Sequence, residues 1–195
     1  MRIWLIAILL GIALGYLGRG RLRELADLPL PLGLAALAWL GFGLQLGADR
    51  LPSQLQFVSV LAGNGLVLVF LVGFWILIGP RMALRVSVAI LALGWTMNSL
   101  VIAANGGMPV SPSAAEQVGL GAVSAGDDTL SKHTVLTHDT ILWPLGDVVP
   151  LSLPGGGMVA SPGDFVLALG FLLLVASAMQ VPRPRRRRAA ACSTT

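Results

Sequence analysis

The chain has 195 residues, of which 55% are hydrophobic and 11% charged, and its mean hydropathy is +0.83. Soluble domains carry about 25% charge, so this composition excludes an ordinary globular protein and selects the membrane class. The net charge of +4 does not point to nucleic acid, because the basic residues fall between and after apolar runs, where they act as topology signals and contacts for anionic lipid.

The first apolar run, 3–18, is short beside the ~20 residues of a typical span, and Met1 and Arg2 extend it toward the headgroups. A signal peptide would fit Arg2 and this stretch, but no A-x-A cleavage site accompanies it. The second run, 28–48, opens with Pro29 and Pro31, suited to a first helical turn, and closes at Asp49, Arg50 and Pro52. The third, 55–79, stops at Pro80 and Arg81, and the fourth, 82–105, is uncharged from Val86 to Ala104. Residues 106–162 are turn-rich and hold Glu116, Asp127, Asp128, Asp139 and Asp147, a majority of the 9 acidic residues. The fifth run, 165–181, leads into a basic tail, 182–195, with Arg183 and Arg185 to Arg188. The one cysteine, Cys192, lies in that tail and offers neither a disulfide framework nor a thiolate metal cluster.

The expected fold class is therefore all-α: a polytopic transmembrane helical bundle of five spans, 3–18, 28–48, 55–79, 82–105 and 165–181, with a short extracytoplasmic cap at 106–162. Placing the tail inside puts Arg19, Arg21, Arg23, Arg81, Arg85 and the tail arginines on the cytoplasmic side. Only Arg2, Arg50 and Lys132 of the 13 basic residues then lie outside, with the N-terminus. The mostly apolar segment 141–160 is expected to cover the bundle or re-enter it. Asp147, Pro144, Pro150, Pro154 and the run Gly155-Gly156-Gly157 make it too interrupted to span.

Gly11 and Gly15, and likewise Gly43 and Gly47, are four apart and predict close helix packing. Gln45, Asn64 and Asn98 are amides inside apolar runs, all toward the outer half of the bundle. They serve either interhelical hydrogen bonds, worth roughly 0.6–2 kcal/mol each, or an outward-facing polar pocket. Gly94, Asn98 and Asn105 share one helical face. Trp4 is expected as an interface anchor, Trp39 and Trp95 as bundle core, and Trp143 as packing for the external segment. No Asp, Glu, Lys or His occupies mid-span, which argues against a proton-driven pump.

The external loop carries Asn105-Gly106-Gly107-Met108-Pro109, then a Ser/Ala/Gly-rich spacer to residue 131 that reads as mobile. Lys132-His133, His138-Asp139-Thr140, Leu145-Gly146-Asp147 and Ser161-Pro162-Gly163-Asp164 follow. Ser161 or Asp164 can cap the fifth helix. On the order of these motifs, over nearly its whole length, the chain resembles an uncharacterised family of bacterial multi-pass membrane proteins, the domain-of-unknown-function 5317 family. The resemblance implies a bacterial inner-membrane protein and supplies no activity.

From the residues, the leading expectation is a non-enzymatic membrane module for small-ligand or lipid binding, assembly or transport. Asn64, Asn98, Asn105, Asp139 and Asp164 are its ligand-binding candidates. The alternative is a membrane enzyme with an external site built from His133, His138 and Asp147, whose imidazoles exchange protons near neutral pH. No cofactor and no metal are expected, since the His spacing matches no metal motif, and Gly155-Gly156-Gly157 lacks the Lys-Ser/Thr of a phosphate loop. Expected partners are membrane lipid and either a second copy or another membrane protein. The segments around Asn105 and Asp147 are expected to meet over the outer bundle face.

Overall fold

A computed structural model describes residues 2–28, 30–120, 133–153 and 155–180. Its apolar runs become the helices α1 (Arg2–Leu17), α2 (Leu32–Gly47), α3 (Ser53–Leu77), α4 (Met82–Asn105) and, after a short polar-ended α5 (Pro112–Gln117), α6 (Pro162–Ala178). Proline and glycine set the boundaries. Pro31 and Pro52 stand just before α2 and α3, where a missing N–H costs nothing. Gly106, at φ 76°, turns the chain out of α4 in a left-handed conformation that a side chain would strain.

Among the described residues three helical stretches are long and apolar enough to cross a membrane: Leu32–Arg50, Gln54–Leu77 and Met82–Asn105. Arg2–Leu17 and Pro162–Ala178 are apolar but shorter. The helices pack as an arc in which α1 lies on α6, α6 on α4, α4 on α3 and α3 on α2. Val67, Leu71, Phe74, Leu84, Val88 and Leu91 lie in the core, with Leu167 of α6 against them.

The ends of the bundle are distinct. At one end Arg2 Nη1 donates to the Gly156 carbonyl at 3.1 Å, so α1 starts beside the segment between α4 and α6. At the other end the Arg21 amide donates to the Met179 carbonyl at 2.9 Å, where α6 finishes.

The all-α expectation is corrected by two small sheets. Strand β1 (Met108–Val110) pairs in parallel with β2 (His133–Val135), and β3 (Val149–Leu153) forms an antiparallel hairpin with β4 (Gly156–Ala160). Thus 141–160 is neither a span nor a helix: a 3₁₀ turn at Trp143–Leu145 leads into the hairpin. The β-branched Val149 and Val159 suit strands, and the prolines that exclude a helix are tolerated in a two-stranded ribbon. The spacer is not wholly irregular either, because Ser111 caps α5 by accepting from the Ala114 amide. Residues 121–132, with Asp127, Asp128 and Lys132, lie outside the described residues, as do 182–195 and Cys192.

The small-residue motifs divide. A Cβ on Gly11 would stand 2.7 Å from the Leu172 carbonyl, and one on Gly15 would strike the Met179 thioether, so this pair does seat α1 on α6. Gly43 and Gly47 face open space. The close α2–α3 crossing is made instead by Gly41 and Gly63, each turned toward the other's carbonyl. Trp39 is 78% exposed and is not bundle core, and Trp143, 57% exposed, does not anchor its segment by burial. Trp95 is buried and meets Phe42 edge to face at 5.6 Å.

Candidate functional site

The N-terminus of α6 is locked by its own sequence. The Ser161 side chain accepts from the Asp164 amide at 3.1 Å while Asp164 Oδ2 accepts from the Ser161 amide at 3.2 Å, a complete capping box. Asn98 of α4 extends it, donating from Nδ2 to Asp164 Oδ1 at 3.1 Å and accepting from Ser161 Oγ at 3.0 Å. This is possible because Gly94 and Gly163 let α4 and α6 touch backbone to backbone.

Asn105 fixes the other approach. Its Oδ1 accepts from the Ile141 amide at 2.9 Å and its Nδ2 donates to the Ile141 carbonyl at 2.8 Å, so the amide acts as a strand partner for the returning chain. A few residues on, the Asp147 amide donates to the Pro109 carbonyl at 2.8 Å, and the Asp147 carbonyl accepts from Ser111 at 2.9 Å. The segments around Asn105 and Asp147 therefore meet at one end of the bundle, through β1 and Ile141 rather than through direct contact of the two side chains.

Beneath this junction lies a cavity of about 220 Å³. Trp4 of α1, Gln45 of α2, Asn64 of α3, Trp95 and Asn98 of α4, and Asp164 of α6 reach it from the helices. His133 and Asp147 line it from the segment between α4 and α6. Asp147 is only 9% exposed. Burial, and then the nearby Asp164 carboxylate, push its pKa from 3.8 up to about 7, against a smaller opposite pull from the α-amino group. His133 Nε2 stands 3.9 Å from Asp147 Oδ2, an ion pair when the imidazole is protonated. Three residues that line the cavity each carry a buried N–H donor with no hydrogen-bond partner among the described residues: Trp4 Nε1, Gln45 Nε2 and Asn64 Nδ2.

Of the residues singled out from sequence, Asn64, Asn98, His133, Asp147 and Asp164 converge on the cavity. Asn105 sits apart, holding Ile141. His138 and Asp139 are exposed in the turn closed by Thr137 and Thr140, and do not join His133. Among the described residues no group of three or more His, Cys, Asp or Glu could hold a metal ion. Sequence reasoning missed Trp4. Its place in the first apolar run suggests an anchor, and nothing local signals that its indole N–H turns inward.

An apolar helical bundle, with paired short strands at one end beside a mainly apolar cavity that holds a few polar groups, defines a class of helical protein with membrane-compatible walls. Residues 30–176 match the family of unknown function DUF5317, and the chain belongs to that family. No curated protein and no solved structure matches it.

Proposed function

We propose that the chain is an integral protein of the bacterial inner membrane that crosses the bilayer five times and binds a small ligand in the cavity under its cap. The N-terminus and cap lie outside and the basic tail lies in the cytoplasm. Membrane embedding is supported by the apolar surface on α1, α2, α3 and α4: Leu5, Leu9, Leu46, Val58, Ile76 and Leu93 are each more than half exposed. Such faces are stable against lipid and aggregate in water. Helices α1 and α6, of 16 and 17 residues, span about 24–26 Å against a hydrocarbon core of about 30 Å. They pack tightly against each other, and local thinning of the bilayer accommodates the shortfall. The orientation rests on the arginine distribution.

The observation that carries ligand binding is the trio of buried N–H donors at Trp4, Gln45 and Asn64. Each unpaired buried donor costs about 1–3 kcal/mol, which a bound acceptor recovers. Native mass spectrometry of the full chain released from lipid nanodiscs tests the reading. The parent is expected to retain a small ligand, and Val60→Trp, which fills the cavity from α3, is expected to lose it. A parent that retains no ligand refutes the reading, as does a ligand that Val60→Trp leaves in place.

A further inference from the structure

Resting on that reading, we propose that the ligand is an uncharged amphiphile, with a hydroxyl-bearing head in the capped cavity and an apolar chain in a second cavity against it. The head is defined by what the wall lacks. Asn64 is 5% exposed, its Nδ2 has no partner among the described residues, and it lines the same cavity as Trp4 and Gln45, whose Nε1 and Nε2 are likewise without one. An amide can be turned over, but an indole N–H only donates, so this wall requires an acceptor. The lining also includes Asp147 and Asp164, whose carboxyl groups take hydrogen bonds when ionised. A hydroxyl accepts from the N–H donors and donates to the carboxyl groups. An anionic head would meet two carboxyl groups with no Lys or Arg among the described lining residues to offset them, and an ammonium would leave the N–H donors unmatched.

The chain is defined by the neighbouring space. A second cavity of about 200 Å³ has an entirely apolar lining that includes Phe42, Val67, Phe74 and Leu91. It shares Trp95 and Leu167 with the first cavity, so the two adjoin at that pair of side chains. Apolar cavities of this size stay dry and take apolar ligands. The capped cavity, with room for roughly seven waters at about 30 Å³ each, suits one sugar ring or a glycerol-sized head. A cavity with polar groups in a mainly apolar lining, beside a wholly apolar one, in a wall of lipid-facing helices, matches a lipid-like molecule rather than a free sugar.

The test uses the full chain in nanodiscs with Trp39, Trp75 and Trp143 changed to phenylalanine, leaving Trp4 and Trp95 as fluorescent reporters beside the cavity. The probes share one chain and vary the head: octyl glucoside, octylammonium and octyl phosphate, with glucose and octanol as the separate halves. Octyl glucoside is expected to change the fluorescence saturably, and each other probe to bind about tenfold more weakly or worse. Asn64→Leu is expected to raise the melting temperature, by removing an unpaired buried amide, while weakening octyl glucoside binding about tenfold. Equal binding of octylammonium or octyl phosphate overturns the head. Glucose binding as well as octyl glucoside overturns the chain. Octyl glucoside binding unchanged in Asn64→Leu overturns the placement. A retained ligand with a charged head or no chain, lost in Val60→Trp, defeats this inference while leaving ligand binding standing. Absence of any cavity ligand defeats both.

Discussion

Replacing Asp147 with asparagine should make the cap harder to open, and increasingly so as pH rises. The raised pKa means that the closed cap holds the Asp147 proton between pH 3.8 and about 7, where the opened, hydrated cap releases it. The stability tied to that proton is fully present below 3.8, declines through this window and is exhausted above about 7. At 1.36 kcal/mol per pH unit, ionising Asp147 costs the closed cap roughly 4 kcal/mol, or up to about 10³-fold in opening. His133 at 3.9 Å offsets part of this when protonated, the α-amino group acts in the same sense, and the Asp164 carboxylate acts against both. Asparagine keeps the shape and the backbone bonds to Pro109 and Ser111 without a charge to desolvate. Hydrogen exchange of the Ser111 and Asp147 amides in nanodiscs reads the opening directly. The protection of Asp147→Asn relative to the parent should be near one at pH 4 and grow toward the thousandfold limit at pH 8. A ratio that stays constant across that range, or grows as pH falls, would refute burial as the dominant influence on Asp147.

Topology is checked in a Cys192→Ser background. Leu120→Cys should react with an impermeant maleimide in intact cells and Ala190→Cys only after permeabilisation, and equal labelling of both defeats the five-span orientation. A Cβ on Gly163 would press on Asn98 Oδ1 and stand 3.1 Å from the Gly94 carbonyl, so Gly163→Ala should cost about 1–3 kcal/mol in detergent unfolding. Gly43→Ala, with open space around it, should be neutral or up to about 1 kcal/mol stabilising, and equal losses at both sites would contradict the close α4–α6 contact.

The helices were legible because long uncharged runs between arginines and prolines have few alternatives. The α6 start was legible because Ser161 and Asp164 carry their partners within four residues of chain. The hairpin was not. Pro150 and the glycines from 155 to 157 ruled out a helix, but period-2 alternation is obscured when β3 is intermediate in burial on nearly every residue. Glycine spacing could not decide which helix face meets a neighbour. Gly41 and Gly63 pair across chains of contacts, whereas Gly43 and Gly47 look identical in sequence and face nothing. Trp39 failed for the same reason, since depth along a span carries no information about rotation around it. For the cavity, the amides of Gln45, Asn64 and Asn98 were visible as polar residues out of place, and three helices do bring them together. His138 and Asp139 had suitable chemistry but sit on a turn that points away.

Trp4 has a consequence for when the protein becomes competent. The helix that carries it is synthesised before the groups that seat it, Leu172, Val175 and Met179. Its ring also rests 6.1 Å from Phe171. The indole N–H can therefore reach its final position only after the last helix has docked. Translation intermediates that stop before residue 162 carry Gln45, Asn64 and Asn98 but lack α6, on which the helix of Trp4 packs. On the proposed function, ligand capture then follows the docking of α6, and fragments that end before α6 do not share it.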